Sequence, residues 1–301
     1  MKRFSNTNAI LAFVTVAREG SVSKAAEVLS LTQPAVSHQI KRLAEETGMA
    51  LFQRTPTGLR LTHDGEAILP KAVSVLTAMS DFHRSANKQS GQVTGTLKIG
   101  TIVDPEFIRL GQLLSRLGTE FPSITTELMH GVSGDVLDRL KRGVIDAGFY
   151  LSARDETEQT MDDDPIHFEP LADFSYSVIA PVGWDARVRN ASWAELAGLP
   201  WIGTPAASVH NRLLTDIFEA HNCVQNVVSQ VDQEASMLAM VRVGVGLSLC
   251  RDSIALHQQQ TFGLTICNTV SVPARLSIAT FAHRKDNAVI GALFSQLKGI
   301  W

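Results

Sequence analysis

Cysteine is scarce in this chain. Three among 301 residues, Cys223, Cys250 and Cys267, lie far apart with no CxxC and no Cys/His ligand spacing. A disulfide framework and a structural zinc site are thereby excluded, and the thiols read as buried or idle in a reducing cytosol. Long apolar runs are also missing, so no membrane span is expected. The start, MKR followed by AILAFVTVA, has some look of a short signal peptide. However, FSNTN intervenes, the apolar residues recur with helical period, and Arg18-Glu19 follow at once, which suits a helix better. Catalytic signatures are absent too. The nine histidines show no Ser/His/Asp order and no metal spacing, and GVGLSLC lacks the GxGxxG of a phosphate-binding loop. These absences argue against an enzyme, and no cofactor is implied.

One segment is rich in signals. Residues 21–61 read SVSKAAEVLSLTQPAVSHQIKRLAEETGMALFQRTPTGLRL. Ahead of it, Ile10, Phe13, Val14 and Ala17 form an i, i+3, i+4, i+7 stripe, and Gly20 suits a stop. A short helix from Ser23 to about Leu29 turns Ala25, Ala26 and Leu29 inward. Ser30 and Leu31 make a turn, and Thr32 caps a third helix with Pro34 in its first turn. In that helix Val36, Ile40 and Leu43 face the core, and Gly48 ends it. The opposite face carries polar and basic side chains. Leu51 and Phe52 then anchor a hairpin that turns at Pro56-Thr57-Gly58. Two helices across a tight break, followed by a basic hairpin, spell a winged helix-turn-helix. Its candidate DNA contacts are Ser23, Thr32, Gln33, Pro34, Ser37, His38, Lys41 and Arg42, with Arg54 and Arg60 on the wing. Amides and hydroxyls read base edges, while Lys and Arg hold phosphates.

Overall charge is −3 and argues nothing for DNA. Its distribution does: residues 1–90 hold 11 Lys or Arg against 7 Asp or Glu, and the remainder 16 against 23. The basic excess lies on the segment with the reading pattern.

On AFVTVAREGSVSKAAEVLSLTQPAVSHQIKRL, then LFQR, then LTHDGEAIL, residues 8–90 resemble the N-terminal region of LysR-type transcriptional regulators. The resemblance continues more weakly after residue 95. Two departures stand out. Ala44 occupies a place where the family usually has Glu, which removes a structural ion pair. Thr57 stands in the wing where a basic residue is common.

From Thr62 to about Asn87 the pattern is helical. Ile68, Ala72, Val75, Met79 and Phe82 form an a/d seam, with Leu69, Val73 and Leu76 as a second row. Pro70 should bend this helix. In the resembled family the linker helix pairs two subunits. That implies a homodimer or homotetramer on a pseudo-palindromic double-stranded DNA site. Ser90 to Gly95 reads as a hinge.

Beyond residue 96, strands and helices alternate, which implies α/β layers with largely parallel sheets. Strands are expected at 96–100, 125–130, 146–150, 175–181, 200–203, 226–231, 246–250 and 275–281. Helices are expected at 107–117, 136–142, 213–220, 235–243 and about 287–299. The resemblance implies two lobes like those of periplasmic binding proteins, crossed near 170 and 267, with an effector between them. The expected organisation is a winged helix-turn-helix over 1–62, a linker helix over 63–90 and an effector domain over 91–301. Lobe I covers about 96–170 and 268–301, and lobe II about 171–267.

Loop positions nominate Thr101, Val103, Asp104, His130, Ser133, Gly203, Thr204, Asp232, Gln233, Glu234 and Arg251 as effector contacts. An Asp at 104 departs from the Ser or Thr of many relatives, as does Arg251 from a frequent Pro. Asp104, Asp232 and Glu234 favour an effector with a cationic or amino group. The reading is a cytoplasmic transcription factor with a small-molecule effector and no membrane partner, engaging RNA polymerase if it activates. An architectural DNA binder that senses nothing is the competing class.

Overall fold

A computed structural model describes residues 7–55, 58–86, 92–102, 104–156 and 165–301. The N-terminal part holds α1 (Thr7–Glu19), α2 (Val22–Val28) and α3 (Gln33–Thr47). Helix α1 is buried on two sides. Phe13 and Val14 pack with Leu43 and Leu51, while Ala12 and Val16 meet Ala25, Ala26 and Val36. The expected stripe describes only the first side. Small residues make the second, where α2 and α3 close in.

Local chemistry sets the boundaries. Gly20 ends α1 at φ +63°, in the left-handed region that glycine enters without steric cost. The Ser21 hydroxyl accepts from the Lys24 amide at 3.4 Å. The cap is therefore Ser21, and Ser23 lies inside the first turn of α2 rather than at its start. Thr32 caps α3 by accepting from the Ala35 amide at 3.4 Å. The C-cap Gly48 stands at φ +71°.

Strands β1 (Phe52–Thr55) and β2 (Gly58–Leu61) pair as an antiparallel hairpin. Its expected turn residues Pro56 and Thr57 lie outside the described residues. Phe52 sets its ring edge against Phe13, 5.5 Å between centroids, so the hairpin docks on α1.

Helix α4 (His63–Ala86) runs through Pro70 without a break. Leu69, Ala72 and Val73 are buried in its own domain's core, with Ile68 and Leu76 packed beside them. The expected seam is therefore divided: Ala72 faces inward, whereas Val75, Met79 and Phe82 are exposed. The hinge expected at Ser90–Gly95 is described only from Gln92 onward.

The remainder comprises β3 (Gly95–Thr101), α5 (Leu110–Glu120), β4 (Ile124–His130), α6 (Ser133–Lys141), β5 (Ala147–Ala153) and β6 (Ile166–Ala180). Next come α7 (Asp185–Val188), α8 (Trp193–Ala197), β7 (Trp201–Gly203), α9 (Val209–Ala220), β8 (Val227–Gln230) and α10 (Glu234–Arg242). The chain closes with β9 (Ser248–Arg251), α11 (Asp252–Phe262), β10 (Thr265–Ile266), β11 (Val272–Phe281) and α12 (Ala288–Leu297). The main sheet runs β10-β6-β11-β5-β3-β4, with β9 also on β6, and β7 pairs β8 separately.

The sheet is mixed, not largely parallel. β3 is parallel to β4 and β5, but β11 is antiparallel to both β5 and β6. The reason is topological: one long strand leaves the first lobe and the other returns, so the two must run in opposite directions. Core membership marks the crossings. On β6, Ile166 belongs to the first core and Tyr176 and Val178 to the second. On β11, Val272 and Ala274 belong to the second core and Leu276 and Ile278 to the first. The return expected near 267 thus falls several residues later, because Cys267 and Val270 are still buried in the second lobe.

Helix α6 joins lobe I to the N-terminal part. Just past its end, the Gly143 carbonyl accepts from the Arg18 guanidinium of α1. A Cβ on Gly143 would meet Val73 of α4 at 2.6 Å. Among the described residues no helix is long and apolar enough to cross a membrane.

Candidate functional site

Two surfaces carry the candidate residues. On α3, Gln33, Pro34, Ser37, His38 and Lys41 are all exposed, as are Thr32 before it and Ser23 on α2. Val36 and Leu43 hold the opposite face in the core. Such a helix can offer its polar side to a groove without giving up packing. Arg42 is different: its Nε meets Glu46 Oε1 at 3.0 Å, and both side chains are partly buried. Glu46 supplies the pairing that Ala44 does not, and Arg42 serves the helix at least as much as a phosphate. Lys41 reaches Glu45 only at 3.8 Å, with both side chains well exposed. On the hairpin, Arg54 is opposite Leu59 and Arg60 opposite Gln53. Successive residues of a strand alternate faces, so the two arginines point to opposite sides of the wing.

The second surface lies between the lobes. A cavity of about 80 Å³ is lined by Asp104 and Phe107 after β3, Val132 and Ser133 at the start of α6, and Leu151 of β5. From lobe II come Tyr176, Thr204, Ser208, His210, Asp232, Gln233, Glu234 and Arg251. Of the expected contacts, Asp104, Ser133, Thr204, Asp232, Gln233, Glu234 and Arg251 meet there. Val103 lies outside the described residues. Thr101, His130 and Gly203 are not in the lining. Thr101 and His130 are register partners on β3 and β4, with Oγ1 and Nδ1 3.4 Å apart. Gly203 serves packing: a Cβ there would meet Val227 at 2.8 Å.

Arg251 is the centre of the site. Its guanidinium donates to Asp104 from lobe I and to Glu234 of α10 at 3.3 Å. It also stacks 4.2 Å from the Phe107 ring centroid. Its side chain is 8% exposed, so the charge is largely out of water and needs its partners. Asp104 is fixed from behind, where Oδ1 accepts from the amides of Glu106 at 3.0 Å and Phe107 at 3.1 Å. Burial works against its charge. The Arg251 hydrogen bond and the Phe107 amide outweigh burial and hold the carboxyl below its usual range. Burial wins at Glu234, aided by Asp104 and opposed by Arg251, so its carboxyl is raised. At Arg251 the two carboxylates overcome burial and raise the guanidinium.

This geometry bears on the expected preference for a cationic effector. Two of the three carboxylates behind it, Asp104 and Glu234, face Arg251, and only Asp232 stands exposed.

Sequence reasoning missed Tyr176, His210, Ser208 and Phe107. Ser208, directly before α9, carried a readable N-cap signal. His210 carried none. It is partly buried, with its ring edge-on to Tyr176 at 4.6 Å between centroids, and desolvation followed by Arg251 pushes it down to about 4. It is therefore a neutral polar wall. Burial raises the Tyr176 hydroxyl as well, and pushes the Cys250 thiol up to about 12. A thiol so placed is unreactive. Among the described residues no group of His, Cys, Asp and Glu could hold a metal ion.

Further contacts tie the lobes together. Arg212 of α9 donates to the Tyr150 hydroxyl and, at 2.7 Å, to the Leu151 carbonyl. The Gly134 amide donates to the Ala207 carbonyl at 2.9 Å. Three helices, α6, α9 and α10, begin at the cavity, and among the described residues none has a side-chain cap on its first amides. The α6 start is already engaged through its Gly134 amide, while the starts of α9 and α10 favour negative charge.

A family model described as the bacterial regulatory helix-turn-helix protein, lysR family, matches residues 7–66. One described as the LysR substrate binding domain matches residues 90–299. The HTH-type transcriptional regulator YofA of Bacillus velezensis is 23% identical, over 96% of this chain and 95% of its own. Among solved structures, ArgP from Mycobacterium tuberculosis superposes with a TM-score of 0.70 at 17% identity, over 98% of this chain and 96% of its own. A full-length OxyR variant from Pseudomonas aeruginosa does so at 0.68 and 20%, over 98% and 95%.

Proposed function

Because the chain belongs to the LysR family of DNA-binding transcriptional regulators, we propose that α3 reads promoter DNA and that the cleft at Arg251 receives the small-molecule effector. The observation that carries the reading is the pairing of an exposed polar α3 face with a cleft whose buried cation joins two lobes.

On α3, Gln33 and Ser37 present groups suited to base edges, and Lys41 a group suited to phosphate. In the cleft, Asp104, Ser133, Thr204, Asp232, Glu234 and Arg251 are the contacts. An effector acts by favouring one lobe arrangement over another. Helix α6 offers a path for that signal, since it starts at the cleft with Ser133 and Gly134 and ends against Arg18 and Val73 of the N-terminal part. The exposed Val75 and Met79 on α4 support self-association as a dimer or tetramer on a pseudo-palindromic site. RNA polymerase is a further partner if the protein activates. The reading places the protein in the cytoplasm, where its DNA lies.

The test is promoter binding by four single variants. Replacing Gln33 or Ser37 by Ala should relax base preference. Replacing Lys41 or Arg54 by Ala should weaken binding to all sequences and lower its salt dependence. Unchanged binding in all four would reject α3 as the reading helix.

A further inference from the structure

The cation at the heart of the cleft already holds a carboxylate that reaches it from the other lobe. Asp104 is not a stray neighbour. Its Oδ1 is pinned by the amides of Glu106 and Phe107, which aims Oδ2 at Arg251. Arg251 is the buried cation of the lining, held also by Glu234, and the uncapped starts of α9 and α10 face the same space. Thr204 points to a ligand independently. It lines the same cavity at 8% exposure, and its hydroxyl has no hydrogen-bond partner among the described residues. A buried hydroxyl left unsatisfied costs stability unless a ligand meets it.

We propose that Asp104 is a built-in ligand of the cleft, occupying on Arg251 the position of an effector's carboxylate, so that a small carboxylate must displace the protein's own side chain to bind. This rests on the reading of the cleft as the effector site and deepens it. The cavity of about 80 Å³ is far below the ~300 Å³ or more of an ordinary ligand pocket. An effector of ordinary size does not fit until Asp104 moves. A tethered carboxylate also competes at a high effective concentration. The intact protein is therefore poorly sensitive to simple carboxylates, and Asp104 sets the threshold for what can act. The Asp side chain ends in an acetate-like group, so shortening it leaves room matched to acetate or formate.

The experiment is a rescue titration on the full chain. Melting temperature is followed in sodium acetate and in sodium formate, each against sodium chloride at equal ionic strength, for wild type, Asp104→Ala and the double variant Asp104→Ala/Arg251→Gln. The expected result is a saturable rise in Asp104→Ala, with a half-point about tenfold or more below any wild-type response, and no such rise in the double variant. Equal responses in wild type and Asp104→Ala would overturn the proposal. So would a rise that survives the loss of Arg251, because the anion would then be binding elsewhere. Should Asp104→Ala melt too early to titrate, Asp104→Ser takes its place. Its hydroxyl can still accept from the turn amides, and the same two outcomes decide. The promoter-binding test is independent: failed rescue leaves α3 as the reader, and failed promoter binding leaves the rescue to be judged on its own.

Discussion

Gly134 and Ala207 meet backbone to backbone across the cleft. The Gly134 amide donates to the Ala207 carbonyl at 2.9 Å, and a Cβ on residue 134 would stand 2.7 Å from that same oxygen. No side chain fits without parting the lobes. Gly134→Ala should therefore hold the cleft ajar, with faster amide exchange at 132–136 and 205–210 and unchanged secondary structure by circular dichroism. Exchange equal to wild type would show that the lobes absorb a methyl group in place.

His210 gives the cleft a pH dependence of definite sign. Burial, then Arg251, lowers it from an ordinary value near 6.5 to about 4. The unfolded chain thus takes up a proton that the folded one refuses. The resulting stability is fully present above pH 6.5 and is lost as pH falls toward 4, on the order of 3 kcal/mol in all. Urea unfolding at pH 7 and pH 4.5 should show a smaller acid loss in His210→Gln than in wild type. Equal losses would mean that the acid sensitivity resides in other groups.

The two sides of α4 should respond differently to substitution. Leu69 is buried in the N-terminal core, and Leu69→Ala should cost about 2–5 kcal/mol of stability. Val75 and Met79 are exposed. Val75→Glu/Met79→Glu should leave the fold intact and shift sedimentation toward the monomer. If the double variant still associates, the pairing surface lies off this face.

Opposite facing of Arg54 and Arg60 makes the wing asymmetric. Arg54→Ala should lower affinity for all DNA sequences, and Arg60→Ala should change it little. Equal losses would contradict the register of the hairpin or show that both strands touch the backbone.

What could be read in advance was local. Thr32, Pro34 and Gly48 bound α3 through caps and backbone angles that depend on a few neighbours, so their residue types announce them. The strand-helix alternation of the larger domain was legible for the same reason. The antiparallel crossing was not, since it depends on which strands pair. Helix α11 escaped notice because its sequence, DSIALHQQQTF, buries only Ala255 and Gln258 and leaves no apolar stripe. Cleft residues were nominated from loop positions, and several do meet. Their partnerships lie beyond any local pattern: Asp104 and Arg251 are 147 residues apart. That two of the three cleft carboxylates face an arginine is likewise written in no local pattern.

The two lobes share one ribbon. β6 and β11 stay hydrogen-bonded through both crossings, with a single register shift between Leu276 and Ser277. A loose tether would let the lobes swing freely, but a paired ribbon has to twist. Its resistance grows with angle and is spread along the ladder, with the irregular step as its softest point. Such a joint behaves as a torsion spring rather than a door hinge. The contacts at the cleft rim then set how far the spring is wound, and a ligand there favours one winding of the ribbon over another.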